Sequence, residues 1–288
     1  MTESPRLNGV IRALEQGKHA FATFAPPADV ENAVTLSSAA YDAVVFEMEH
    51  NPVDFRGLKD CFQYMLNRRQ IVEGGTLAPR VTPFVRIPPN GGEMNQWLAK
   101  QVLDLGAYGI VWPHISTVEQ AQNAVAACRY PSLPGTPRYD PPGLRGDAPV
   151  TAARYWGLTG PDYYARADVW PLAPEGEIFV ILMIEDTTGI DNLPDILEQV
   201  PGIGSILIGE GDLSQELGIP REFDHPDLLS AMTTIRETCK KHDIPCGHPH
   251  VGTDNVDRIV EEGYRFLMAA PVRSYSALDQ GRKLTGRV

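Results

Sequence analysis

Eight short apolar runs recur along the chain: AFATFA (20–25), DAVVFEM (42–48), PFVRI (83–87), YGIVWP (108–113), IFVILMI (178–184), GSILIG (204–209), IPCGH (244–248) and RFLMAA (265–270). They are largely apolar on both faces instead of alternating with polar residues, which is the mark of strands buried on two sides in a parallel sheet. Between them, apolar positions at helical spacing predict helices over 28–38, 55–68, 93–105, 117–128, 190–199, 225–241, 253–262 and 275–284. Cap residues support several of these, such as Ser116 or Thr117 before VEQAQNAV with Glu119 close behind. Eight strand–helix units over this length predict a closed (β/α)8 TIM barrel, favoured over an open doubly wound sheet, with residues 1–288 as a single domain.

Two stretches interrupt the rhythm. VEGGTLAPR (72–80) lengthens one link, and YPSLPGTPRYDPPGLRGDAP (130–149) is a Pro/Gly-rich insertion that carries Arg145 and Gly146 and leads into short helices at 150–157 and 161–167. Composition narrows the partners. A formal charge of −12 argues against nucleic acid and anionic membrane surfaces, leaving small molecules or copies of the same chain. Cys61, Cys128, Cys239 and Cys246 have no metal-binding or disulfide-framework spacing, and no apolar leader or run of membrane-spanning length is present. A soluble, cytoplasmic protein with free thiols is expected.

In a barrel of this kind, chemistry belongs where strands end. Those ends hold Glu47, Glu49 and His50, then Arg86, then Glu185 and Asp186, then Gly209, Glu210, Gly211 and Asp212, and finally His248 and His250. Glu185 and Asp212 end apolar strands one position apart. Two hard carboxylates so placed suit Mg2+ or Mn2+, although either acid could instead cap the helix that follows it. The glycines of GEGD suit a backbone cradle for an anion or a tight strand-to-helix turn. His50 reads as a proton relay or as a structural histidine, and His248 and His250 as further ligands, hydrogen bonders to an acceptor, or solvated loop residues. Trp112 and Trp156 read as packing, while Tyr163, Tyr164 and Trp170 are candidates for covering the barrel mouth or a subunit contact. All six lysines fall on predicted helices or edges, which disfavours a Schiff-base mechanism inside the barrel.

Taken in order, YDAVVFEMEHNP, FVRIP, VLDLGAYGIVWPHISTVEQAQNAVAACRYP, PPGLRG with AARYWG, ILMIEDTTGIDNLPDIL and ILIGEGDLSQELG resemble the HpcH/HpaI family of metal-dependent pyruvate aldolases from about Phe21 to Leu284. The resemblance implies a divalent cation, Mg2+ or Mn2+ with Co2+ as a further option, held by Glu185 and Asp212. It implies that Arg86 fixes the oxo-acid, that the amides of Gly211 and Asp212 receive its carboxylate, and that His50 paired with Asp104 handles the proton. It implies an aldolase that makes or cleaves 4-hydroxy-2-oxo acids from a 2-oxo acid and an aldehyde by way of an enolate, and a homo-oligomer, hexamer or trimer, that exchanges its last helix. Departures stand out. Met183 replaces a glutamine, G-E-G-D replaces G-P-[AS]-D, Glu47 replaces an aspartate, PPNGGEMN lengthens the link from Arg86 to Asp104, and HPH is foreign to the family pattern. The alternatives are a CoA-ester lyase of the citrate lyase β/malyl-CoA type and a catalytically silent barrel that binds oxo-acids.

Overall fold

The apolar runs become parallel strands: β1 (Ala20–Ala25), β2 (Ala43–Glu47), β3 (Thr82–Arg86), β4 (Gly109–Trp112), β5 (Val169–Trp170), β6 (Ile178–Ile184), β7 (Ser205–Ile208), β8 (Cys246–His248) and β9 (Phe266–Ala269). The computed structural model describes residues 5–89, 94, 96–269 and 276–287. Pairing runs β4-β3-β2-β1-β9-β8-β7-β6, and β4 also pairs with β6, so these eight strands close on themselves. The two-residue β5, which the sequence did not signal, only extends the start of β6 through Val169 opposite Ile178 and Trp170 opposite Phe179. Every residue of the eight closing strands is buried except Arg86, the last of β3.

The interior is packed, not hollow. Phe84, Phe266 and Trp170 surround Phe179, with ring centroids 5.9, 6.5 and 5.9 Å from it. Room for these rings comes from Gly109 and Gly204: a Cβ would lie 2.8 Å from the Phe84 ring at the first and 2.5 Å from the Phe179 ring at the second. Large rings opposite missing side chains let neighbouring layers interdigitate at native density.

Helices separate the strands much as the spacing predicts, with shifted ends. The segment 55–68 divides into helices Phe55–Met65 and Arg68–Gly74, because Leu66 turns extended and Asn67 caps the second by accepting the Gln70 N–H. Helix Val118–Ala127 opens on a full capping box made by Thr117 and Gln120, not Glu119. The predicted helix 93–105 is seen from Gln96 to Leu105; most of PPNGGEMN, the start of 275–284 and the last residue of RFLMAA lie outside the described residues.

An unpredicted helix, Gly9–Glu15, closes the end where the strands begin. Its N-cap Asn8 accepts from Val10 and Ile11, and Glu177, fully buried, accepts the N–H groups of Leu7 and Asn8 at 3.0 and 2.7 Å. The insertion is pinned at its root: Arg129, 1% exposed, is bidentate to Asp168 at 2.6 and 3.0 Å and donates to the carbonyls of Tyr139 and Pro141. The last helix, Ser276–Leu284, buries Ala277, Leu278 and Gly281, and Arg287 beyond it grips Asp42 at 2.6 and 2.7 Å. No helix among the described residues is long and apolar enough to cross a membrane.

Candidate active site

The ends of β2, β3, β6, β7 and β8 surround a cavity of about 460 Å3 lined by Phe24, His50, Arg86, Met183, Glu185, Gly209, Glu210, Gly211, Asp212, Gln215, Pro220, Arg221, Pro249 and His250. Parallel strands all present their C-terminal ends on one face, which is why residues spread over the sequence meet here.

Arg86 is the hub. Its Nε and Nη2 donate to both oxygens of Glu47 at 3.2 and 2.6 Å, Nη1 lies 3.0 Å from Glu49 Oε2, and the guanidinium sits over the Phe24 ring at 4.8 Å. Glu47 and Arg86 are register partners on β2 and β3, so the sheet itself aligns this fork-to-fork pair. Met183, which stands where the family pattern has a glutamine, offers its thioether to Arg86 Nη1 at 3.8 Å.

Beside this pair is a carboxylate cluster. Glu185 accepts the backbone N–H of His114 through Oε1 at 2.5 Å, while its Oε2 is buried without a hydrogen bond. Burial, followed by the nearby charges of Glu49 and Asp212, outweighs that hydrogen bond and pushes its carboxyl up to about 8. The Glu49 carboxylate is buried as well: its Oε2 is held by the ion pair with Arg86, its Oε1 lies 3.6 Å from His114 Nε2 without a hydrogen bond, and desolvation raises its pKa against the pull of Arg86. Ligand atoms of Glu49, His114 and Glu185 all lie within 4.8 Å of one another. Buried carboxylates crowded around one imidazole, with Glu49 Oε1 and Glu185 Oε2 lacking any hydrogen bond, are costly unless a cation meets them, so the donor set fits a divalent metal.

The placement resolves several alternatives. The helix after β6 is capped by Asp186, which accepts from Gly189, so Glu185 is not its cap. The helix after β7 runs Glu210–Glu216 with Gly209 as its N-cap, which puts Asp212 in the first turn, where its charge favours the helix dipole without a capping bond. Gly209 is needed for space, since a Cβ there would lie 2.2 Å from Glu185 Oε2; it makes room for a carboxylate of the protein itself. A Cβ at Gly211 would meet nothing within 4 Å. Asp212 lines the cavity but is not in the close group that Glu49, His114 and Glu185 form.

His50 and Asp104 are not brought together within this chain. His50 Nε2 is 3.5 Å from Glu49 Oε2, with the side chain 63% exposed. Asp104 ends helix Gln96–Leu105 just before β4 begins, at the opposite end of the barrel, where it accepts from Arg145 Nη2 at 2.9 Å. Arg145 is buried and also donates to Tyr163 Oη at 2.9 Å, while Trp156 packs edge-on against Tyr163 with centroids 5.0 Å apart. Tyr163 and Trp170 therefore belong to this far end and not to the mouth, and Trp112 and Trp156 are fully buried packing residues. His114 is the residue the sequence reading passed over. It follows Pro113 at the end of β4, and its φ of 54° turns the chain so that its amide reaches Glu185.

Such a closed barrel, with unsatisfied acids, an imidazole and an arginine at its mouth, is the architecture of a metal-assisted lyase. The chain belongs to the HpcH/HpaI aldolase/citrate lyase family, whose model matches residues 21–271, and it is a carbon–carbon lyase. It is 32% identical over 235 residues to a hydroxypyruvate/pyruvate aldolase of Roseobacter denitrificans, covering 82% of this chain and 78% of that one. Similarity to a 2-dehydro-3,6-dideoxy-6-sulfogluconate aldolase of Pseudomonas putida is 30% over 248 residues, covering 86% and 84%. Among solved structures, an HpcH/HpaI aldolase/citrate lyase family protein from Burkholderia cenocepacia superposes with a TM-score of 0.75 at 25% identity, over 97% of this chain and 98% of that one.

Proposed function

We propose that the protein is a divalent-metal aldolase that adds pyruvate or hydroxypyruvate to an aldehyde and cleaves the resulting 4-hydroxy-2-oxo acid. The observation that carries this reading is the cluster of Glu49, His114 and Glu185, whose ligand atoms lie within 4.8 Å of one another and in which the buried Glu49 Oε1 and Glu185 Oε2 have no hydrogen bond. Glu185 with Glu49 and His114, and Asp212 from the same cavity, would hold the cation. A bound Mg2+ or Mn2+ supplies the charge that acidifies protons next to a ketone.

The remaining work falls to side chains and amides of the chain. Arg86, pre-oriented by Glu47, offers a charge-assisted contact to oxo-acid oxygens that gain charge during the reaction. Amides of Gly211 and Asp212, in the first turn of helix Glu210–Glu216, have no intrahelical acceptor and would receive the substrate carboxylate. His50, exposed to water and beside Glu49, takes the C3 proton and releases it to solvent. Asp104 enters only by way of a neighbouring subunit. A homo-oligomer that exchanges helix Ser276–Leu284 is part of this proposal, and light scattering of the intact protein tests it.

The functional test is deuterium exchange. Pyruvate in D2O with the Mn2+-loaded protein should lose its methyl proton signal, and EDTA should stop the loss. Absence of exchange with any divalent cation would refute the reading.

A further inference from the structure

We propose that Glu210 and His250 form a second acid–base pair at the aldehyde end of the cavity, where His250 exchanges a proton with the acceptor's oxygen and Glu210 positions its ring. The inference rests on the aldolase reading above and assigns a role to two residues that reading leaves unused.

Glu210 is only 4% exposed, yet among the described residues its only ion-pair partners are two histidines. Its Oε1 meets His250 Nδ1, and its Oε2 lies 3.8 Å from His248 Nε2. His248 Nδ1 accepts the backbone N–H of His250 at 3.2 Å, so the proton of neutral His248 sits on Nε2, facing Glu210. By the same logic His250 gives Nδ1–H to the carboxylate and keeps its Nε2 lone pair for another partner.

The loop that carries His250 is fixed. Asn255 Nδ2 donates to the His250 carbonyl at 2.9 Å, Asn255 Oδ1 accepts from Gly252 N at 2.7 Å, and the imidazole packs on Phe223 at 5.6 Å. The side chain is half exposed and lines the cavity that holds Glu185, Arg86 and His50. Behind the pair, a second cavity of about 330 Å3 brings Asp224, Asp254, Arg258 and Glu262 to its other side. A base oriented by a carboxylate and exposed on one edge to a reaction site is the arrangement general acid–base catalysis requires.

In cleavage, His250 Nε2 takes the proton of the substrate's 4-hydroxyl. The O–H pair becomes the second bond of the aldehyde carbonyl, the C3–C4 bond breaks, and its electrons stay on C3 as the enolate of the 2-oxo acid. In addition, imidazolium Nε2–H returns the proton to the new alkoxide. The C3 proton is not involved, so this pair serves one half of the chemistry and His50 the other.

That division gives the test. With the Mn2+-loaded enzyme, pyruvate exchange in D2O is compared with addition of pyruvate to D-glyceraldehyde. His250→Asn should slow addition about 100-fold or more while exchange stays within about threefold of wild type. Glu210→Gln, isosteric and able to accept the same Nδ1–H, should lower kcat for addition about tenfold with KM for glyceraldehyde unchanged. The double variant should be no slower than His250→Asn. Parallel loss of exchange and addition in both variants, or unchanged addition in His250→Asn, would overturn the proposal. Absence of exchange in the wild type would instead strike the aldolase reading itself.

Discussion

Glu49 and Glu185 approach each other at the barrel mouth with ligand atoms within 4.8 Å, and His114 is their shared neighbour. Like charges at such a distance in a dry site cannot both persist without a counter-charge. Arg86 is ion-paired with Glu49 and Glu47 but only pulls weakly on Glu185, so burial, with the charges of Glu49 and Asp212, pushes the Glu185 carboxyl up to about 8.

This relationship predicts proton release on metal binding. Metal-free Glu185 binds its proton more tightly folded than unfolded, so its contribution to stability is complete below its ordinary range near 4.5 and is lost as pH rises through about 8. A cation must displace that proton, so Mn2+ affinity should climb between pH 6 and pH 8.5, and calorimetry in buffers of different ionisation enthalpy should detect the released proton. Glu185→Gln should abolish both effects; an affinity independent of pH would contradict them.

His248 gives a slope of opposite sign. Burial, against the opposing pull of Glu210, lowers its pKa to about 4, so the unfolded chain takes up a proton that the folded one refuses. Stability is therefore full above the ordinary range near 6.5 and falls as pH drops toward 4. Urea unfolding at pH 7 and pH 5 should show wild type losing roughly 2 kcal/mol more than His248→Gln.

Asp104 is predicted to act on stability within the chain. Arg145 is fully buried, its Nε and Nη1 have no hydrogen bond, and Asp104 is its carboxylate partner. Asp104→Ala should cost about 3 kcal/mol by stranding that cation. If denaturant midpoints are unchanged while pyruvate exchange collapses, the proton-handling role implied by family resemblance prevails instead.

Arg86→Lys separates charge from geometry. Lysine keeps the charge but cannot bridge both Glu47 oxygens and Glu49 at once. Steady-state kinetics should show KM for the oxo-acid rising about tenfold or more with a smaller change in thermal midpoint. An unchanged KM would remove Arg86 from the substrate site.

The barrel was legible because its strands are buried on both faces, and two-sided burial writes itself as continuous apolar runs such as IFVILMI. What escaped was short or conformational. Helix Gly9–Glu15 has seven residues and is held by Glu177, a partner nearly 170 positions away that no local pattern reveals. Of the site, Arg86, Glu185, Asp212 and His50 do line one cavity, as strand-end position suggested. His114 was hidden because its role depends on a left-handed backbone turn, and Asp104 could not be placed from the motif alone because a family motif marks a residue type without saying which end of the barrel it faces or which subunit it serves.

The clasp that Arg129 makes with Asp168 and the carbonyls of Tyr139 and Pro141 has an evolutionary corollary. Because the stem is sealed there, the exposed residues 131–138 can lengthen, shrink or be exchanged without the staves beneath registering the change. That exposed stretch is thus a socket for diversification, free to acquire new partners while the lyase stays as it is.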